Sequence, residues 1–320
     1  MVVAVWGASG FVGRHVVDVL TERGDCVVAL CRDRSVLPAS WGEGVEVRRL
    51  PPQASKEDFR SALAGVSELI HCAGSPTAGP GELAAYEEGV RMLAVAAGAA
   101  GVRRLVVVST VGVYGSAATL GPPVGIETRP RPYSTYAKSR LRAEEAVRDA
   151  IDADLISLTI VRISAVVGAA MTATVLRRFF AGLRWGVFVH PGPATATFPC
   201  IGVRRLARSL VELAQRQAGE APTLCQFSDD VEWTAMARWY GEITGRTVTR
   251  VPLPGAPVRA VAQMLGLCSL VVPLQLLGNT IRYADDGKHL AMDAKDMQSS
   301  TSDDIVALLN AEFCRQEKMP

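Results

Sequence analysis

The chain is short of the features that mark several protein classes. Its seven cysteines among 320 residues are scattered, with no Cys-x-x-Cys pair and no Cys/His grouping at metal-ligand spacing. Neither a disulfide framework nor a zinc site is expected, and thiols in mostly apolar surroundings fit a reducing cytoplasm. Histidine is rarer, with four dispersed residues, and no metal is expected. An excess of one charge is also missing: 34 Lys plus Arg against 32 Asp plus Glu leave a net +2, which offers no basic field for a nucleic acid. No repeat of fixed period is visible, which excludes a solenoid. The chain opens on an apolar strand with no basic n-region or cleavage site ahead of it, so secretion is not expected. The one stretch that could interest a membrane, Val258 to Ile281, has an uncharged centre from Met264 to Leu277. It contains Pro273 and falls short of a spanning segment of roughly 20 apolar residues. A buried helix or hairpin is expected there, with a peripheral membrane contact as the alternative.

What is present is ample apolar material, 49% hydrophobic residues with 21% charged, enough to fill the core of a large α/β domain. Short apolar runs at Val2 to Trp6, Cys26 to Cys31, Val45 to Leu50, Leu69 to Cys72, Arg104 to Ser109 and Leu155 to Arg162 alternate with helical patterns at Val12 to Leu20, Asp58 to Leu63, Leu83 to Ala100 and Tyr136 to Ala150. That alternation predicts an α/β fold, a Rossmann-type doubly wound parallel sheet with right-handed crossovers. Beyond about Gly168 the pattern loosens. Helices are expected at Arg204 to Ala218, Val231 to Thr244 and Asp303 to Glu317, and a strand at Thr247 to Val251. We therefore expect a dinucleotide-binding core over 1–168 carrying the catalytic residues. A smaller substrate-binding lobe over 169–320 is expected to follow, with return elements to the core sheet.

The first strand runs into Gly7-Ala8-Ser9-Gly10-Phe11-Val12-Gly13. In such a turn the first glycine lets the chain reverse tightly, the second leaves room for pyrophosphate, and the third lets helix and strand pack closely. The following helix offers free N–H groups and a positive dipole end to phosphate, and Ser9 adds a hydroxyl donor. The second strand ends at Cys31 and Arg32, where an acid would bind a ribose diol. Arg32 can instead grip a 2′-phosphate through its planar fork. NADP(H) is thus favoured as cofactor, with Asp33 keeping NAD(H) as the alternative.

Five segments in order, GASGFVG at Gly7 to Gly13, LIHCAG at Leu69 to Gly74, VVVSTVGVYG at Val106 to Gly115, YAKSRLRAE at Tyr136 to Glu144 and VRIS at Val161 to Ser164, make the chain resemble the extended short-chain dehydrogenase/reductases. This family holds nucleotide-sugar epimerases, dehydratases and ketoreductases, with relatives acting on hydroxysteroids. The resemblance implies a hydroxyl role for Thr110, four residues before Tyr114, an acid/base role for Tyr136, and a cation at position 140, where the family's lysine is replaced by Arg140. Lys138, two residues from Tyr136, points to another side of a helix, whereas Arg140 shares the tyrosine's face. A guanidinium there favours phenolate and can donate to ribose hydroxyls, but cannot relay a proton by deprotonation. Two further departures are Tyr86, where the family usually has an asparagine, and Leu50-Pro51, where an acid usually lies near adenine. The resemblance also implies cofactor contacts from Gly7, Ser9, Gly10, Phe11, Val12, Gly13, Arg32, Leu50, Cys72, Ala73, Gly74, Ser109, Tyr136, Arg140, Ile163 and Ser164. Substrate contacts are expected from Ser75, Thr110, Val111, Arg177, Arg178 and Arg282.

These readings converge on an NADP(H)-dependent oxidoreductase that reduces a ketone to a secondary alcohol, with a nucleotide-linked sugar as the first substrate class. The apolar segment from Ala256 to Leu277 equally allows a steroid- or polyketide-like ketone. Dehydratase chemistry is disfavoured because Val111 and Gly112, which follow Thr110, cannot transfer protons. A nucleotide-sugar epimerase and a non-catalytic NADP(H)-binding regulatory or assembly protein remain alternatives. A homodimer through the helices at Leu83 to Ala100 and Tyr136 to Ala150 is a family implication only.

Overall fold

A computed structural model describes residues 1–32, 38, 41, 44–51, 53–75, 78–115, 124–169, 171, 183–191, 196–217, 221–253 and 301–311. The chain starts with β1 (Val2–Trp6), turns through the glycines into α1 (Phe11–Glu22), and continues with β2 (Cys26–Cys31), β3 (Val45–Arg49), α2 (Lys56–Ala62) and β4 (Glu68–His71). It then forms α3 (Pro80–Ala100), β5 (Arg104–Thr110), a 3-10 turn (Val111–Tyr114), α4 (Thr135–Ala150) and β6 (Ser157–Ile163). Later elements are β7 (Ala165–Val167), β8 (Val187–Pro191), β9 (Thr197–Gly202), α5 (Val203–Gln215), β10 (Leu224–Phe227), β11 (Asp229–Glu232), α6 (Trp233–Thr244) and β12 (Thr249–Leu253), with a closing helix over 301–311.

Seven strands form one sheet in the order β10-β6-β5-β4-β1-β2-β3. β1 runs parallel to both β2 and β4, with Trp6 opposite Leu30 on one side and His71 on the other. The order reverses between β1 and β4, the switch point where open α/β sheets bind ligands beyond the strand ends. The expected doubly wound parallel sheet is the fold observed. Alternate strand residues Ala4, Val28, Leu69, Leu105 and Ile160 pack under Phe59, Leu93 and Val147 of α2, α3 and α4. Their neighbours Val3, Val27, Ile70, Val106 and Val161 are equally buried and face the other way, as strand alternation requires. With both faces covered, the strands can be almost continuously apolar.

The chain falls into two compact units. The first comprises Met1–Val113, Pro130–Ile163 and Arg204–Gln226, so α5 and β10 belong with the nucleotide-type sheet. The second comprises Tyr114–Arg129, Ser164–Val203 and Phe227–Pro320. In it β9 pairs antiparallel with β11 and parallel with β7, and β12 pairs parallel with β8.

Several element boundaries differ from the periodicity for local reasons. α2 begins at Lys56 rather than Asp58, because Ser55 Oγ accepts from Asp58 N (3.2 Å) while Ser55 N donates to the Asp58 carboxylate (2.7 Å). This capping box places Asp58 at a helix start. α3 begins earlier too, at Gly79-Pro80, where Gly79 N donates to Glu82 (2.9 Å). Val231 and Glu232, read as helical, are in β11, where pairing with Phe198 and Thr197 of β9 outweighs helical periodicity. α5 ends at Gln215, whose amide donates to Asp25 (2.7 Å) and accepts from Arg23 (2.9 Å). The apolar stretch Val258 to Ile281 and residues beyond 311 lie outside the described residues. Among the described residues no helix is long and apolar enough to cross a membrane.

Gly13 tests the packing of this turn directly. A Cβ there would overlap the Gly7 carbonyl and come within 2.9 Å of Ala8 Cα, whereas one on Gly81 would meet nothing within 4 Å. Gly13→Ala is expected to destabilise the fold by about 1–3 kcal/mol, and Gly81→Ala to stabilise α3 by about 0.5–1 kcal/mol, both measured by urea unfolding.

Candidate active site

At the end of β1, Gly7 adopts φ +85° and donates its N–H to Leu30 O (3.2 Å). A Cβ on Gly7 would lie 2.7 Å from the Ala73 backbone, so its absence lets the β1 turn meet the segment leaving β4. Gly10 N donates to Gly7 O (2.9 Å) and Gly10 caps α1 without a side-chain cap. Helix N-termini with uncapped N–H groups favour anions, and Phe11, Val12 and Gly13 form this first turn. Arg14, not singled out from the sequence, folds back to donate to Ser9 O (3.3 Å) and Gly10 O (3.4 Å).

The β2 end is as expected in position and different in detail. Cys31 is buried, and burial raises its thiol above the usual range although nearby Ser9 acts in the opposite sense. Arg32 follows it and is exposed. Leu50 is buried, its N–H donating to Cys31 O (2.9 Å). Ser9 of the glycine turn thus lies beside the strand end that carries Arg32.

Three elements assemble the remaining centre. Thr110, at the end of β5, accepts from Gly112 N (3.1 Å) through its Oγ1; a fixed acceptor bond leaves its O–H proton to donate elsewhere. α4 is capped by Ser134, whose Oγ accepts from Ala137 N (3.1 Å), and carries Tyr136, Arg140 and Glu144 at four-residue intervals. Lys138 is exposed, whereas Arg140 is buried with its guanidinium carbon 5.1 Å from the Tyr136 ring centroid.

Arg140 Nη1 donates to Ala73 O (3.3 Å), to Val108 O (3.4 Å) and to the Tyr86 hydroxyl, and the guanidinium carbon lies 4.3 Å from the Tyr86 ring centroid. Burial opposes the charge on Arg140, but the two tyrosines outweigh it and its pKa rises. Desolvation pushes the Tyr86 phenol up to about 12 despite the Arg140 charge, and the Cys72 thiol likewise to about 12. Behind Tyr86, at 5.6 Å between centroids, lies His71, which packs in turn against Trp6 in a tilted contact at 4.7 Å.

Glu144, the last residue of the Tyr136 to Glu144 segment, is a second charge centre. It is 1% exposed, accepts from Ser109 Oγ (2.5 Å), and takes a two-pronged pair of bonds from Arg162 (3.1 and 2.7 Å). Two-pronged charge-assisted pairs are the geometrically strong ones. Ser109 therefore turns its hydroxyl into this network. The signal available in the sequence was Glu144 itself, four residues after Arg140 on the same helical face; its partner Arg162 comes from the next strand.

The other expected residues fall as follows. Cys72 N donates to Trp6 O (2.8 Å), Gly74 has φ +116°, and Gly74 and Ser75 are exposed. Val111 is buried in the 3-10 turn and Ile163 closes β6. Ser164, in the second unit, is buried with its Oγ unpartnered while its N–H donates to Phe227 O (3.1 Å). Arg177, Arg178 and Arg282 lie outside the described residues. Among the described residues no cluster of His, Cys, Asp or Glu could hold a metal ion.

A sheet switching at β1/β4, a glycine turn on a helix N-terminus, and Thr, Tyr and a cation beyond β5 define a dinucleotide-binding protein. Residues 7–181 match the family described as NAD(P)H-binding, and the chain belongs to that family, with the fold of the extended short-chain dehydrogenase/reductases. Sterol demethylase protein B of Methylococcus capsulatus is 35% identical over 119 residues, 36% of this chain. The match spans 36% of that relative's length. UDP-glucuronic acid 4-epimerase from Bacillus cereus, solved with NAD, is 17% identical with a TM-score of 0.72 over 98% of this chain and 99% of that one. A short-chain dehydrogenase/reductase superfamily protein from Agrobacterium tumefaciens with bound NAD is 18% identical with a TM-score of 0.71, covering 100% of both chains.

Burial of His71 has a pH consequence. Its ring is 0% exposed, both nitrogens lack partners, and desolvation followed by the Arg140 charge lowers its pKa from 6.5 to about 3. The unfolded chain protonates near 6.5 while the folded chain does not, so stability is lost as pH falls from 6.5 towards 3. Urea unfolding at pH 6.5 and pH 5 is expected to show a loss that is smaller by about 2 kcal/mol in His71→Phe than in the parent.

Proposed function

We propose that this protein is an NADP(H)-dependent oxidoreductase that reduces a ring ketone to a secondary alcohol. The observation that carries the reading is the placement of Arg140 beside Tyr136 on one face of α4, with Thr110 at the adjoining end of β5. The glycine cradle supports a dinucleotide: side chains on Gly7 or Gly13 would collide with backbone, and the N-terminus of α1 carries no side-chain cap. Gly7 to Gly13 would hold the pyrophosphate, Arg32 a 2′-phosphate, and Arg140 the ribose next to nicotinamide. When bound, nicotinamide supplies the hydride.

The protein's own residues handle the oxygen. Thr110 donates a hydrogen bond from its O–H to the carbonyl oxygen, and Tyr136 delivers the one proton that oxygen takes up as it becomes an alcohol. Arg140 stays charged throughout and serves as a fixed cation. Arg32 in place of an acid after β2 favours NADP(H), although the solved neighbours named above carry NAD.

For the substrate, the sterol demethylase relative, at 35% identity over its matched segment, favours an apolar, sterol-like ketone, and the uncharged stretch Met264 to Leu277 supplies matching chemistry. A nucleotide-linked sugar is the second reading, favoured by the sugar-nucleotide epimerase that shares the fold.

Assay of NADPH oxidation with 3-keto and 4-keto sterols and with a UDP-4-keto-sugar separates the readings. One NADPH is expected per ketone reduced; interconversion of a sugar epimer with no net nucleotide change would overturn reduction. Tyr136→Phe is expected to lower turnover about 10²–10⁴-fold while NADPH still binds. Arg32→Ala is expected to weaken NADPH binding about 10–100-fold and NADH binding less than about twofold, measured by nicotinamide fluorescence.

A further inference from the structure

Positions 74, 86 and 140 form one constellation. A buried guanidinium needs acceptors for its N–H groups. Arg140 finds them in Ala73 O and Val108 O, at the exits of β4 and β5, and in the Tyr86 hydroxyl, all through Nη1. Its other amino nitrogen, Nη2, occupies the room left by Gly74: a Cβ on Gly74 would overlap Nη2 and stand 2.9 Å from Cζ. Gly74 is itself exposed, while the Arg140 side chain packed beneath it is buried. From below, the Tyr86 ring supports the guanidinium at 4.3 Å and is backed by His71 and Trp6.

We propose that Tyr86 is the positioning residue for Arg140, holding the guanidinium against Gly74 and the Tyr136 ring, so that Arg140 is the site's working cation and depends on Tyr86. This rests on the reading above that Arg140 faces the nicotinamide ribose. A lysine at 140 would not replace it. A compact ammonium lacks both the planar face that lies on the Tyr86 ring and the second amino nitrogen that occupies the room left by Gly74. Asparagine at 86 paired with lysine at 140 would restore a matched donor and acceptor.

The test is NADPH affinity by nicotinamide fluorescence on the full chain, with thermal unfolding as the control for folding. Arg140→Lys and Tyr86→Phe are each expected to weaken binding about tenfold, and Tyr86→Asn/Arg140→Lys to return to within about threefold of the parent. Arg140→Lys binding as tightly as the parent, or a paired swap no better than Arg140→Lys alone, would overturn the proposal. Should the asparagine variant not fold, Tyr86→Phe/Arg140→Lys decides: a double no more than about twofold weaker than the worse single supports coupling, and losses that multiply overturn it. A parent chain that binds neither NADPH nor NADH overturns the cofactor reading itself, a result distinct from independent losses in a chain that binds.

Discussion

Gly7 packs against the backbone of Ala73 at 2.7 Å from where a side chain would begin, and much of the site hangs on this contact. It brings the exits of β1 and β4 together where strand order reverses. On one side it sets the turn that aims α1; on the other it places the Ala73 carbonyl where Arg140 can donate to it at 3.3 Å. The tight glycine turn and the seating of Arg140 are two consequences of one backbone approach. A β-carbon at Gly7 would disturb both.

α4 then organises charge in depth. Tyr136 is half-buried, Arg140 and Glu144 are buried, and the three share a face at successive turns. The two buried charges are met differently. Glu144 is neutralised by the Arg162 fork and takes a bond from Ser109, a pairing whose disruption leaves an uncompensated ion. Arg140 has no carboxylate among its bonded partners; carbonyl oxygens and aromatic faces carry it instead. A net positive charge is therefore left beside Tyr136.

The legible parts of the fold and site are those with local causes. Strand and helix alternation across the first half of the chain survives into the sheet, and glycine spacing marks the turn. The face shared by Tyr136 and Arg140 follows from helical geometry alone. Less legible were elements defined by partners distant in sequence. β11 is a strand because β9 lies beside it, and β10, far along the chain, joins the sheet edge beside β6. Tyr86 was visible as a departure from the family's asparagine, yet its bond to Arg140 spans 54 positions and no local pattern encodes it.

By itself the sequence determined the α/β class, the glycine turn, the order of elements to β6 and the face that Tyr136 and Arg140 share on α4. Periodicity and turn chemistry act over a few residues, so they can be read along the chain. Only the tertiary structure decided that Ser109 serves Glu144 and that Arg140 is held by Ala73, Val108 and Tyr86. A buried charge is stabilised by whichever acceptors the fold brings within about 3 Å, and those acceptors come from strands and helices that meet only when the sheet has formed.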